Sequence, residues 1–249
     1  MKTYGYSNIG THNANNNAEN QDFSFSEELN NYEVIALADG VSSCSKAREG
    51  AEISAKAIAF YLLKNAEFLL DFPDEEQRNK LIVDCVMKKL KEKANYDGMP
   101  VEEYSSTLSA VLFDKTTNKA LTFNLGSNMI MALYGDKTHI VGMPGDNRYG
   151  TIVTTTKGAS YEASSHIIDT VNSDIQAEDF IMFTDGTWKA LYSDTRPIPE
   201  VQTLLMEKRF DLLQQFLQQK NPFDDNSFIN LNIKEPTLSK DYDVEGRPL

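Results

Sequence analysis

Val34-Ile35-Ala36-Leu37-Ala38-Asp39-Gly40 is an apolar run of strand character that stops on a carboxylate and a glycine. Three other places carry the same punctuation: Asn20-Gln21-Asp22, Phe183-Thr184-Asp185-Gly186 and Asp224-Asp225-Asn226-Ser227. An aspartate at the mouth of a buried strand is a hard oxygen ligand on a rigid support. Strand ends this far apart in sequence converge on one metal site only if a sheet brings them together.

Upstream of the central run, residues 10–20 are loop by composition, with side chains that bond their own backbone. His12 there reads as solvated. Phe23-Ser24-Phe25-Ser26 alternates with period two, which places Asp22 at a strand entrance. Downstream, Val41 to Ser45 offer turn residues, and from Lys46 the period changes: Ala51, Ala55, Ile58 and Leu62 share one helical face. A second helix is expected from Asp74-Glu75-Glu76-Gln77, with Ile82, Val86 and Leu90 on one face. Strands at 107–113, 120–125, 129–134 and 138–141 follow one another at turn spacing and read as an antiparallel meander. His139 on the last reads as packed or solvated, and His166 has no assigned role. Residues 142–178 are polar and irregular, with a turn at Pro144-Gly145-Asp146-Asn147 and an isolated strand at 152–156, and form a candidate flap. Phe180 to Thr184 is a buried strand delivering Asp185. A helix is expected from Pro199 to about Lys220, and Phe228 to Ile233 as the last strand.

The chain has 249 residues, 41% of them hydrophobic, enough for one large domain with a full core. Its formal charge of -13 argues against a nucleic-acid backbone or an anionic membrane as partner. The longest apolar run, Ile58 to Leu63, is too short to span a bilayer. No secretory leader is read at the start of the sequence, and a cytoplasmic location is expected. Cys44 and Cys85 show no CxxC spacing, so neither a disulfide framework nor a zinc site is expected. Cys85 reads as a small buried hydrophobe and Cys44 as a bystander.

Taken in order, Asn20-Gln21-Asp22, Ala38-Asp39-Gly40, Ser106-Thr107-Leu108, Leu125-Gly126-Ser127, Thr184-Asp185-Gly186 and Asp224-Asp225-Asn226-Ser227 resemble the motif series of the PPM family, the type 2C metal-dependent Ser/Thr protein phosphatases, over about residues 5–233. The resemblance implies an α+β fold, a four-layer αββα sandwich of two antiparallel sheets flanked by helices. It implies one phosphatase domain over 1–235, including the flap-like insertion, followed by a polar tail at 236–249. Two Mn²⁺ or Mg²⁺ ions are implied: Asp39 matches the bridging carboxylate, the Gly40 carbonyl a ligand of one ion, and Asp185 and Asp224 the ligands of the other. Asp224 matches better than Asp225 because it lies three residues before Ser227. Asp22 matches the acidic position that supports the metal waters, so Asp22 and Asp39 carry the catalytic roles. Ser106 and Thr107 read as small packing residues.

The implied activity is hydrolysis of phosphoserine or phosphothreonine in a substrate of a Ser/Thr kinase, by direct attack of a hydroxide bridging the two ions, in a monomer. The physical logic stands beside the resemblance. Phosphate monoesters hydrolyse very slowly in water, and two divalent ions about 4 Å apart generate hydroxide and stabilise the developing charge. Four departures bear on activity. Asn17 stands where the family commonly has a phosphate-clamping arginine, and Gln21 replaces a glutamate, as in some bacterial relatives. Ser127 and Lys189 replace two aspartates of a third metal site, which is expected to be absent. Lys189 either puts an ammonium in that cation's place or is a solvated surface lysine. Retained Asp39, Asp185 and Asp224 favour an enzyme, whereas Asn17, Ser127 and Lys189 favour the alternative, a weak or inactive PPM-fold regulatory or binding module.

Overall fold

A computed structural model describes residues 2–143, 153–193 and 196–234. Strand β3 (Tyr32–Asp39) is buried on both faces because alternate residues serve different cores. Val34, Ala36 and Ala38 face a helical layer, whereas Ile35 and Leu37 face a second sheet. Two apolar faces erase the usual alternation, which is why the sequence reads as an unbroken run.

The first sheet has the order β2 (Asp22–Leu29), β3, β4 (Leu108–Asp114), β5 (Lys119–Leu125), β8 (Ser164–Asp169). The second has the order β1 (Lys2–Asn8), β12 (Asn226–Asn232), β9 (Asp179–Phe183), β6 (Met129–Tyr134), β7 (Lys137–Gly142). Every pairing within them is antiparallel. Between the sheets, Ile35, Leu37, Val111, Ile130, Phe180, Met182, Ile229 and Leu231 form the middle core.

Helices α2 (Ala47–Lys64), α3 (Ala66–Asp71) and α4 (Glu75–Asp97) cover the first sheet, with the short α5 (Ala159–Glu162) beside α4. The side chains of Ala36, Ala38, Ala51, Ala55 and Ala59, all fully buried, let α2 lie close on β3. Asp74 caps α4 as its sequence predicts, accepting from Gln77 N at 3.0 Å. Helices α6 (Asp185–Leu191), α7 (Pro199–Met206) and α8 (Phe210–Lys220) cover the second sheet through Leu191, Val201, Leu205, Leu213 and Leu217. A hairpin of two-residue strands, β10 (Tyr192–Ser193) and β11 (Arg196–Pro197), follows α6. The result is the four-layer αββα sandwich, an α+β fold.

The structure corrects several readings. The four middle strands are not one meander: β4 and β5 belong to the first sheet, β6 and β7 to the second. The chain changes sheets at Gly126, whose φ of 96° turns it as few other residues could. The 10–20 loop contains helix α1 (Thr11–Asn15). The helix expected over 199–220 is two, separated by Lys208 at φ 55°. Residues 153–156 form turn rather than strand, whereas Ser164–Asp169, read as irregular, is the edge strand β8. The Pro144–Asn147 turn, Ile152 and the 236–249 tail lie outside the described residues. No helix among the described residues is long and apolar enough to cross a membrane.

Candidate active site

Strand register brings the acidic strand ends together. In the β2–β3 pair Asp22 lies directly opposite Asp39. In the other sheet Phe183 pairs with Phe228, and one residue further Thr184 N donates to Ser227 O at 3.0 Å. That leaves Asp185 and Asp224 at one end of the second sheet. Thr184 Oγ1 joins the sheets by accepting from Ser227 N at 3.0 Å and donating to Asp22 Oδ2 at 2.9 Å. Asp39 feels the charges of Asp22, Asp185 and Asp224, and Asp224 feels that of Asp185. The cluster spans both sheets.

Burial and neighbouring charge perturb Asp22, Asp39 and Asp224. Asp22 is fully buried. Burial first, and the charge of Asp225 after it, push its pKa up to about 7 against the hydrogen bonds of Ser227, Thr184 and Asp39. Asp39 is raised well above the ordinary carboxylate range by burial and then by Asp22, Asp185 and Asp224. Asp224 is raised by burial and by Asp185, with Lys189 pulling the other way. Asp22 Oδ1 and Asp185 Oδ1 are buried without a hydrogen-bond partner. Buried oxygens without donors, beside carboxyls that resist ionising, mark a place where positive charge belongs.

The backbone around the cluster is held by neutral side chains. Asp39 N donates to Thr107 Oγ1 at 3.1 Å, and Thr107 donates onward to Asn128 Oδ1 at 3.0 Å. Thr107 N donates to Asp39 O at 2.8 Å, and Gly40 N to Gln21 O at 3.2 Å. Asp225 is taken up by three donors of its own: its carboxylate accepts from Gly10 N at 2.7 Å, Asn13 Nδ2 at 2.8 Å and Gln21 N at 2.6 Å. Among the described residues two cations flank the site. Lys189 Nζ is 2.7 Å from Asp185 Oδ2, and Arg48 Nη1 donates to the Asp22 carbonyl while its guanidinium lies 4.8 Å from the Phe23 ring centroid. Arg48 has no other hydrogen-bond partner among the described residues.

The sequence-predicted residues Asp22, Asp39, Gly40, Asp185 and Asp224 thus meet at one end of the sandwich, with Lys189 against them. Ser127 contributes its carbonyl, which accepts from Trp188 Nε1 at 2.8 Å. Asn17 is exposed, just past α1. His12 packs on Phe223, ring centroids 5.0 Å apart, and Cys44 Sγ donates to Glu102 O at 3.2 Å. Sequence reasoning missed Thr184 and Arg48 as supports, and took Thr107 for packing alone.

The donor set suits hard divalent cations that take carboxylate and carbonyl oxygens and keep several waters. Among the described residues no three Asp, Glu, His or Cys side chains already enclose a single ion position. Protein donors take up part of the set: Lys189 Nζ donates to Asp185 Oδ2, Thr184 Oγ1 to Asp22 Oδ2, and Asp225 N to Asp224 Oδ1 at 3.0 Å. The orphaned oxygens and raised carboxyls are what a cation would satisfy, so the residues fit such a group.

The structure is similar to that of a bacterial serine phosphatase (TM-score 0.65, 13% identity), covering 96% of this chain and 100% of that one. The serine/threonine phosphatase Stp1 from Staphylococcus aureus matches with a TM-score of 0.64 at 13% identity, over 94% of this chain and 96% of that one. RsbX, solved in complex with magnesium, matches with a TM-score of 0.58 at 14% identity, over 92% of each chain. At such identities these likenesses speak for the fold alone. No curated protein matches the sequence. The family model described as Protein phosphatase 2C matches residues 9–221, most of the chain. With that match laid over the two-sheet sandwich and its strand-end carboxylates, the chain belongs to the protein phosphatase 2C family.

Proposed function

We propose that this protein is a Mn²⁺- or Mg²⁺-dependent phosphatase acting on phosphoserine and phosphothreonine in proteins. The observation that carries this reading is the convergence of Asp22, Asp39, Asp185 and Asp224, two of them with buried oxygens lacking any donor, in a chain of this family. Asp39, Asp185, Asp224 and the Gly40 carbonyl would hold two ions, a choice supported by the magnesium complex of the similar RsbX. When bound, such ions supply an activated water and screen the phosphoryl oxygens. The chain's own part is placement. Thr107 fixes the backbone of Asp39 at the strand end, and Thr184 holds Asp22 by Oδ2, leaving Oδ1 without a donor and free to orient water. With neutral Asn17 out on the surface, Arg48 is, among the described residues, a guanidinium bonded beside the cluster at the Asp22 carbonyl, and its remaining N–H groups suit a bidentate phosphate.

A phosphoprotein made by a Ser/Thr kinase is the substrate class this chemistry serves, in a monomeric enzyme. Free Cys44 and Cys85 suit a reducing cytoplasm. The Lys189–Asp185 pair favours one second reading, a regulatory module whose metal site is held closed by its own lysine. Hydrolysis of a phosphothreonine peptide with Mn²⁺, with chelator, and with Asp39→Asn decides between them. The enzyme reading expects turnover in the first condition only. No turnover together with no Mn²⁺ bound by calorimetry would favour the module.

A further inference from the structure

Lys189 is the side chain of α6 that follows Asp185 by one helical turn, so the two share a face. Its ammonium sits 2.7 Å from Asp185 Oδ2. The partners differ in exposure: the Asp185 side chain is 14% exposed, the lysine 57%. The ammonium also lies 5.8 Å from the Trp188 ring centroid, and that indole is pinned by its bond to the Ser127 carbonyl. Arg48, the other cation at the site, is bonded to a backbone carbonyl and not to a carboxylate.

We propose that Lys189 is a tethered counter-ion of the carboxylate cluster, whose ammonium holds Asp185 in the metal-free protein and is displaced when a divalent cation binds. This rests on the reading of the cluster as a metal centre. The geometry favours displacement. An ammonium on a long flexible stem that is already half in water can swing out without stranding a buried charge. A divalent ion then offers the same carboxylates twice the charge. The lysine beside Asp185 also gives the metal-free protein partial neutralisation, so the fold need not wait for metal. Metal loading is therefore a competition between an external ion and an internal amine, and the affinity for metal is lower than the carboxylates alone would give.

The test is Mn²⁺ affinity, read from the electron paramagnetic resonance of free Mn²⁺ and from calorimetry, for the native chain, Lys189→Met and Lys189→Gln. The variants should bind Mn²⁺ about tenfold more tightly, ~1.4 kcal/mol, and melt at lower temperature than the native chain when chelated. Lys189→Gln keeps a polar chain of similar reach, so it guards against a packing defect in Lys189→Met. Equal or weaker Mn²⁺ binding by both folded variants would overturn the inference while leaving the metal centre intact. Binding by none of the three chains would bring down the metal-centre reading and this inference with it.

Discussion

Raising the pH of the chelated protein from about 4.5 to about 7.5 should weaken its fold, the reverse of what most paired carboxylates do. The group responsible is Asp22, fully buried and pushed up to about 7 by burial and by Asp225. In the unfolded chain the same carboxyl titrates near its ordinary value of about 3.9. Between those values the folded protein holds a proton that the unfolded chain has released, so the contribution is complete below about pH 4 and is lost as pH rises through about 7. A shift of roughly three units at 1.36 kcal/mol each is about 4 kcal/mol, a large share of the 5–15 kcal/mol typical of a domain. Asp39 and Asp224 are raised too and act in the same direction. Glu178, Asp97 and Asp169 are lowered by their hydrogen bonds and act in the opposite sense. Their stabilisation is present above the unfolded carboxylate range and falls away only on acidification, so it does not mask the effect. Urea titrations in EDTA across this range, on the native chain and on Asp22→Asn, measure it. The native midpoint should fall with pH, that of Asp22→Asn should fall much less, and excess Mn²⁺ should flatten the native curve by binding the folded state alone. A native midpoint that is flat or rises between about pH 4.5 and 7 in EDTA would refute the electrostatics described for the cluster.

Thr184→Val removes the donor to Asp22 Oδ2 and the acceptor of Ser227 N; it should cost about 1–3 kcal/mol in a denaturant melt and shift the pH dependence of chelated stability. Asp225→Ala strips three donors, Gly10 N, Asn13 Nδ2 and Gln21 N, of their shared carboxylate. Hydrogen exchange should then quicken over residues 10–21 while β4 and β5 stay protected, and unchanged exchange would show that the bonds do not hold that segment. Arg48→Met should raise KM for a phosphopeptide by about tenfold with a smaller effect on kcat; an unchanged KM would assign phosphate binding elsewhere.

The sequence disclosed the acidic ends because each borders a strand: Asp39 and Asp185 follow buried apolar runs, and Asp22 and Asp224 stand at strand entrances, where local pattern suffices and no tertiary knowledge is needed. It hid what depends on distant contacts. Nothing local marks Lys208 as the break between α7 and α8, since a lysine at positive φ has no compositional signal. Strand β8 escaped because only Ser165 and Ile168 of Ser164–Asp169 are buried, so its hydrophobic pattern is too sparse. Helix α1 is invisible in Asn-rich sequence because its anchors come from 200 residues away: Asn13 reaches Asp225, and Thr11 N and His12 N donate to Pro222 O and Phe223 O. Thr184 and Arg48 went unread for the same reason. The sheet change at Gly126 is legible only in retrospect, as a glycine where two strand pairs part.

The bonds of Asp225 to residues 215, 212 and 204 positions earlier have a consequence for how the protein is made. Asp22 and Asp39 leave the ribosome early and can pair as a hairpin, but the residues that complete their surroundings follow some 200 codons later. At about 5–20 residues per second that interval is roughly 10–40 s, during which the first sheet carries half a carboxylate cluster. Strand β12, wedged between β1 and β9, closes the second sheet and delivers Asp224 and Asp225 together. Under the metal-centre reading proposed above, ion capture would wait until β12 is in place, and a bound divalent ion would clasp segments that are synthesised well apart in time.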